Sequence, residues 1–207
     1  MIKIIDNSIV EHNLAVLRDR NSGISQFRNA VDRISKILAI EAYSGLKTNE
    51  ITIETPIEET KVKTISEHVV LLPVLRAGIG LLQPFIDVYP EAETGFIGLK
   101  RNEETIEAEE YHFSLPPLKD NSHIFILEIM LATGGSVAAT IARLRKDGVK
   151  RISVVSIISA PEGIENLQSK FTDIDIITAA IDRKLNDQSY IVPGLGDAGD
   201  RLTGTTI

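Results

Sequence analysis

Ile124–Ser136 reads IFILEIMLATGGS, and the whole chain can be read outward from it. Ile124 to Ile129 is apolar apart from Glu128, and Met130-Leu131-Ala132 then leads directly into Thr133-Gly134-Gly135-Ser136. A short continuous apolar run of this kind predicts a strand covered on both faces, as in a parallel sheet. Downstream, Ser136 to Asp147 predicts a helix: Val137, Ile141 and Leu144 share one face, and Arg143, Arg145 and Lys146 crowd the last turn. Cations there suit the helix dipole, and Gly148 supplies the terminal cap. A glycine turn between a strand and a helix N-terminus is a cradle for an anion, with backbone N–H groups and the Thr133 and Ser136 hydroxyls around it. It has neither the GxxxxGK[ST] form of nucleoside triphosphatases nor the GxGxxG of dinucleotide folds. A plain tight turn is the competing reading, and Glu128 weighs against it, because a charge ending a buried strand is costly without a partner. The hydroxyls of a sugar phosphate would supply one; an Arg or Lys from another element is the alternative.

The flanking sequence repeats the pattern. Ser25 to Ala42 carries apolar residues at helical spacing, with Ser25 as N-cap and Gly45 near its end, and Ile51 to Glu54 alternates as a strand. Val69 to Leu75 (VVLLPVL) is a second buried strand, followed by Arg76-Ala77-Gly78 and a helix from Ile79 to Val88 that Pro84 interrupts or opens. Phe96 to Leu99 is a further strand, and Arg101 to Lys119 has no clean period and is read as a mobile excursion. Ile152 to Ile158 and Ile174 to Ile181 are strands on either side of a helix from Pro161 to Lys170. Alternating strands and helices predict an α/β fold, a doubly wound and mainly parallel sheet that binds ligands beyond the carboxyl ends of its strands. The length of 207 residues, with no repeat or linker, predicts a single domain over 1–207.

Composition narrows the function. Twenty-two Lys and Arg against 29 Asp and Glu give a formal net charge of -7, the wrong sign for a chain whose affinity comes from nucleic-acid phosphates. With no cysteine, disulfides and thiolate metal sites are excluded, and His12, His68, His112 and His123 lack ligand spacing, so a metal would arrive with a substrate. No run reaches membrane-spanning length and MIKIIDNSIVEH has no targeting character, so the cytoplasm is expected.

Two more polar clusters end strands. Arg76 offers planar donors that suit a phosphate or diphosphate, although taken alone it reads better as a surface arginine following a strand. Tyr190 to Thr205, YIVPGLGDAGDRLTGT, is too glycine-rich for regular structure; a frayed tail is one reading, and a segment that brings backbone groups close to a flat heterocycle is the other. A side chain at position 196 would block that approach.

Together these stretches resemble the uracil phosphoribosyltransferases, a type I phosphoribosyltransferase family. The likeness runs through FRNAVDRISKILAIEA, ETPIEET, LPVLRAGIG, RNEET, MLATGGS and APEGIE to YIVPGLGDAGDR, and the last is the stretch specific to uracil enzymes. The resemblance implies conversion of uracil and 5-phosphoribosyl 1-diphosphate (PRPP) to UMP and diphosphate, with Mg2+ carried by the diphosphate. It assigns PRPP to Arg76, Arg101, Glu128, Ile129, Met130, Leu131, Ala132, Thr133, Gly134, Gly135, Ser136 and Asp197, and uracil to Ile191, Gly196, Asp197 and Ala198. Asp197, Arg76 and Arg101 carry the catalytic assignment, residues 101–118 would form a flexible β-arm or lid, and 182–207 the base-binding segment. It further implies a homodimer or homotetramer, with GTP and CTP as candidate effectors and no nucleic-acid or membrane partner.

The chain departs from the family at Glu128-Ile129, where DP is usual. The longer acid must fold back, or the ribose must shift. Leu202-Thr203 replaces a frequent aromatic, a change expected to affect packing of the tail. A non-catalytic pyrimidine-nucleotide sensor on the same fold is the alternative function; its RNA-binding form is disfavoured by the acidic balance.

Overall fold

Strands as uniformly apolar as VVLLPVL and IFILEIML have no face to offer water, so each must lie between two layers of helices. The computed structural model, which describes residues 1–101 and 108–205, places them there. In chain order the elements are β1 (Ile2–Ile4), α1 (Ser8–Arg18), α2 (Ile24–Tyr43), β2 (Thr48–Glu54), β3 (Glu59–Ile65), β4 (His68–Leu75), α3 (Ile79–Val88), β5 (Glu93–Thr94) and β6 (Phe96–Arg101). There follow β7 (Ala108–Ser114), β8 (Ser122–Leu131), α4 (Gly135–Lys146), β9 (Arg151–Ser159), α5 (Pro161–Lys170), β10 (Asp175–Ile181), β11 (Lys184–Leu185), β12 (Ile191–Val192) and α6 (Ala198–Thr203).

The main sheet runs β1-β10-β9-β8-β4-β6-β7, with β5 also on β4. All pairings in it are parallel except β6 with β7. One face packs Phe125, Leu127, Val155 and Ile177 against α1, α2, α3 and α6, around Leu17, Phe27, Leu81 and Leu202. The other packs Ile124, Ile126, Val154 and Ile176 against α4 and α5, through Val137, Ile141, Leu144 and Leu167. The expected α/β architecture with a mainly parallel sheet is thus the one observed. The strands end together, so the turns after β4, β8, β9 and β10 meet on one rim. No helix among the described residues is long and apolar enough to cross a membrane.

Several local expectations need correction. Gly23, not Ser25, stands at the N-cap of α2, its N–H donating to Gln26 Oε1 at 2.9 Å. Pro84 lies within α3 without breaking it. Ile51–Glu54 belongs to the β2–β3 hairpin outside the main sheet, and every residue of β2 is exposed. Within the stretch expected to form a β-arm, Ala108–Ser114 is the antiparallel strand β7; 102–107, with Glu103, Glu104 and Glu107, lie outside the described residues. The glycine-rich tail contains the short helix α6, and β1, α1 and β3 had no counterpart in the sequence reading.

Candidate active site

The glycine turn read as a phosphate cradle lies between β8 and α4. Gly134 is the N-cap of α4 with φ 74°, a left-handed conformation that glycine reaches without a Cβ penalty. Thr133 Oγ1 accepts from the Gly135 N–H at 3.3 Å, which closes the turn. Helix α5 braces the loop from behind: Asn166 Nδ2 donates to the Thr133 carbonyl at 2.8 Å, and the Ala160 N–H donates to Leu131 O at 2.8 Å. Gly163 is packed so closely that a Cβ there would lie 2.3 Å from the Ala132 carbonyl oxygen. Sequence reading gave Gly163 and Asn166 no role; the signal available was a glycine in the first turn of a helix, where propensity disfavours it.

Glu128 opens onto the same hollow of about 90 Å³ as Met130–Val137, so acid and cradle share one site. Its carboxylate does fold back, Oε1 accepting from the Ile129 N–H at 3.1 Å. Among the described residues it forms no ion pair, so the pairing with Arg or Lys is not what holds it. Burial raises its pKa to about 8 by desolvation, against the smaller opposing effect of the Ile129 and Met130 N–H groups. A carboxyl raised to that value is mostly protonated at pH 7.

Arg76 heads the turn after β4, exposed, with Nη2 3.4 Å from Asp200 Oδ1. That is a weak hold. Asp197 caps α6, its Oδ1 accepting from the Asp200 N–H at 2.9 Å, and an added Cβ on Gly199 would sit 3.2 Å from Asp197 Oδ1 and 3.5 Å from Arg76 Nη2. The first turn of α6 and the β4 turn are thereby neighbours. Arg101 ends β6 at the same rim, but its side chain lies outside the described residues.

A hollow of about 260 Å³ continues from Met130, Ala132 and Thr133 to Tyr190 and Ile191, and a wider one of about 660 Å³ runs from Tyr190 to Asp197 and Asp200. Ile191 and Ala198 are buried. Gly196 has φ 78°, and a Cβ there would meet nothing nearer than Arg201 Cδ at 3.8 Å. Backbone conformation, then, and not the space in the empty site, demands glycine.

The 133–136 turn, Glu128 beside it, Arg76 across the rim and the glycine segment after Tyr190 stand together at the carboxyl ends of the strands. The family described as uracil phosphoribosyltransferase matches residues 4–205. The chain belongs to the uracil phosphoribosyltransferase family. A uracil phosphoribosyltransferase of Finegoldia magna is 44% identical over 205 residues, 99% of this chain and 98% of that one. One of Dictyoglomus thermophilum is 44% identical over 206 residues, 99% and 100%. The solved AQ2163 protein of Aquifex aeolicus matches 100% of both chains with TM-score 0.93 and 34% identity. An adenine phosphoribosyl transferase of Trypanosoma brucei, at 13% identity and TM-score 0.59 over 93% and 85% of the chains, shares the fold. Membership agrees with the resemblance carried by MLATGGS and PGLGDAGDR.

Proposed function

We infer that this protein transfers the phosphoribosyl group of PRPP to N1 of uracil, giving UMP and diphosphate. The observation that carries the reading is the hollow shared by Glu128 and the 130–137 cradle, opening toward Tyr190 and Ile191. The 5-phosphate takes the N–H groups of Thr133 to Ser136 at the start of α4, where the helix favours an anion. Glu128 takes the ribose hydroxyls; as a neutral acid it donates to one and accepts from the other, without repelling the phosphate one loop away.

Arg76, weakly held by Asp200, is free to turn to the diphosphate, with Arg101 as its second cation. Magnesium enters bound to the diphosphate, as part of the substrate. Asp197 and Asp200 would then stand near that ion, and no group of three acids or histidines among the described residues forms a metal cluster of its own. Backbone groups of Ile191 and Gly196 to Ala198 read the flat base, with Asp197 beside the reacting centre.

Chemistry follows from placement. The C1–O bond breaks and diphosphate leaves with the electron pair; N1 attacks the oxocarbenium-like carbon from the opposite face, and its proton is released. Positioning both substrates and neutralising the leaving group supply the rate, with no side-chain nucleophile. The family resemblance supports a cytoplasmic homodimer or homotetramer with GTP or CTP as effectors. The test is incubation with uracil, PRPP and Mg2+, which yields UMP and diphosphate; nucleotide binding without turnover would instead support the sensor.

A further inference from the structure

We propose that Arg18 and Asp182 are positioning residues for uracil, fastening the base-reading segment to the end of α1. The proposal rests on the assignment of Ile191 and Gly196–Ala198 to the base, and neither residue touches substrate in it. Arg18, the last residue of α1, donates from Nη2 to Asp182 Oδ1 at 2.6 Å and from Nη1 to Asp182 Oδ2 at 2.8 Å. The same Nη1 donates to the Gly194 carbonyl at 3.0 Å, and Asp182 Oδ2 accepts from the Gly194 N–H at 2.8 Å. Both backbone groups of Gly194 are therefore held by this one ion pair.

Asp182 has a side chain only 4% exposed, and it sits just past β10, where its own N–H donates to Ser159 O at 2.8 Å. The anchor is thus the sheet itself. The clamped residue lies against the base site: the chain doubles back so tightly that a Cβ on Gly194 would stand 2.1 Å from the Ile191 carbonyl oxygen. Gly196 is two residues further on.

A second fastener shows that the corner is built to be held. Arg201 donates to Leu195 O at 2.9 Å, to Asp19 O at 2.7 Å and to Leu17 O, with its guanidinium 4.5 Å over the Phe27 ring. Two arginines thus tie residues 194–195 to the turn at 17–19. A segment with two glycines and little regular structure has much freedom to lose, so its geometry has to come from outside. A bidentate guanidinium reaching a carboxylate and a carbonyl at once supplies that geometry, and an ammonium cannot replace both contacts.

The test compares KM for the two substrates in wild type, Arg18→Met, Arg18→Lys and Asp182→Asn. Displacement of the base by ~1 Å costs on the order of a hundredfold in rate, so Arg18→Met should raise KM for uracil or lower kcat/KM for uracil by roughly ten- to hundredfold. KM for PRPP should rise several-fold less than that for uracil, since most of the residues assigned to PRPP lie on the turn braced by α5 and only Asp197 lies on the clamped segment. Arg18→Lys should recover only part of the loss. An unchanged uracil KM in folded Arg18→Met, or an equal loss for both substrates, would overturn the proposal. If that variant fails to fold, Asp182→Asn, which keeps an oxygen acceptor for Gly194, decides by the same criterion. No turnover by wild type would sink the functional reading and this proposal with it; wild-type turnover with an insensitive latch sinks the latch alone.

Discussion

Glu128 sits where desolvation outweighs two backbone N–H groups, and its chemistry near neutrality follows from that balance. A carboxyl raised to about 8 is protonated at pH 7 and charges as the pH rises through 8, beside a bound 5-phosphate. Affinity for PRPP should therefore fall across that range in wild type and stay flatter in Glu128→Gln, which titration calorimetry at pH 6.5 to 9 would show. Glu128→Asp should keep turnover; its loss would mean that the longer arm is required. The sequence already marked this residue, because a lone acid in IFILEIML stands out without any structure. Asp182 and Arg18 were invisible to the same reading: they are 164 positions apart, and nothing local in either neighbourhood points to the other.

At the scale of elements, the brace between α5 and the cradle is the part that a small change should disturb. Gly163→Ala improves helix propensity by about 1 kcal/mol, yet its Cβ would press on the Ala132 carbonyl and push the loop outward. KM for PRPP should rise on the order of tenfold or more while thermal stability changes little. Gly148→Ala is the contrast: φ is 81° with nothing within 4 Å of the new Cβ, so it should cost ~1 kcal/mol of stability and leave kinetics intact. Steady-state assays beside thermal melts separate the two. Elements covered on both faces were legible, since apolar runs and helical spacing name β4, β8, α2 and α4 directly. Helix α1 was missed although Asn7 caps it, Oδ1 accepting from the Ile9 and Val10 N–H groups at 2.9 and 3.3 Å. Hairpin β2–β3 meets water on both faces, so β3 (ETKVKTI) carries little apolar period to find. Helix α6 was read as loop because glycines hid the Asp197 cap, whose bond to the Asp200 N–H is the only side-chain cap it has among the described contacts.

Over the whole molecule, two titrations at opposite ends of the sheet pull stability in opposite directions. His123, 3% exposed near the start of β8, has its pKa lowered by burial and by Arg151, with Glu67 opposing; Nε2 pairs with Ser153 Oγ at 2.8 Å. Its contribution is full above the ordinary histidine value near 6.5 and is lost as the pH falls below it. Glu128 acts the other way: its folded pKa is raised, so its contribution is full below about 4.5 and is lost as the pH rises toward 8. Melting temperature should therefore decline on both sides of a mildly acidic maximum. Glu128→Gln should remove the alkaline decline and His123→Asn the acid one, as thermal melts from pH 4 to 9 would register. The corner where Arg201 meets Leu17 and Asp19 has a consequence of another kind, because it joins the first tenth of the chain to its last residues. Domains assemble from the N-terminus as the ribosome advances, at about 5–20 residues per second. Here α1 must wait until residue 201 has been translated before this fastener arrives. A chain that stops short of Arg201 would keep the brace between α5 and the Thr133 turn and lose one of the two ties on residues 194–195, so the order of synthesis leaves this corner until late.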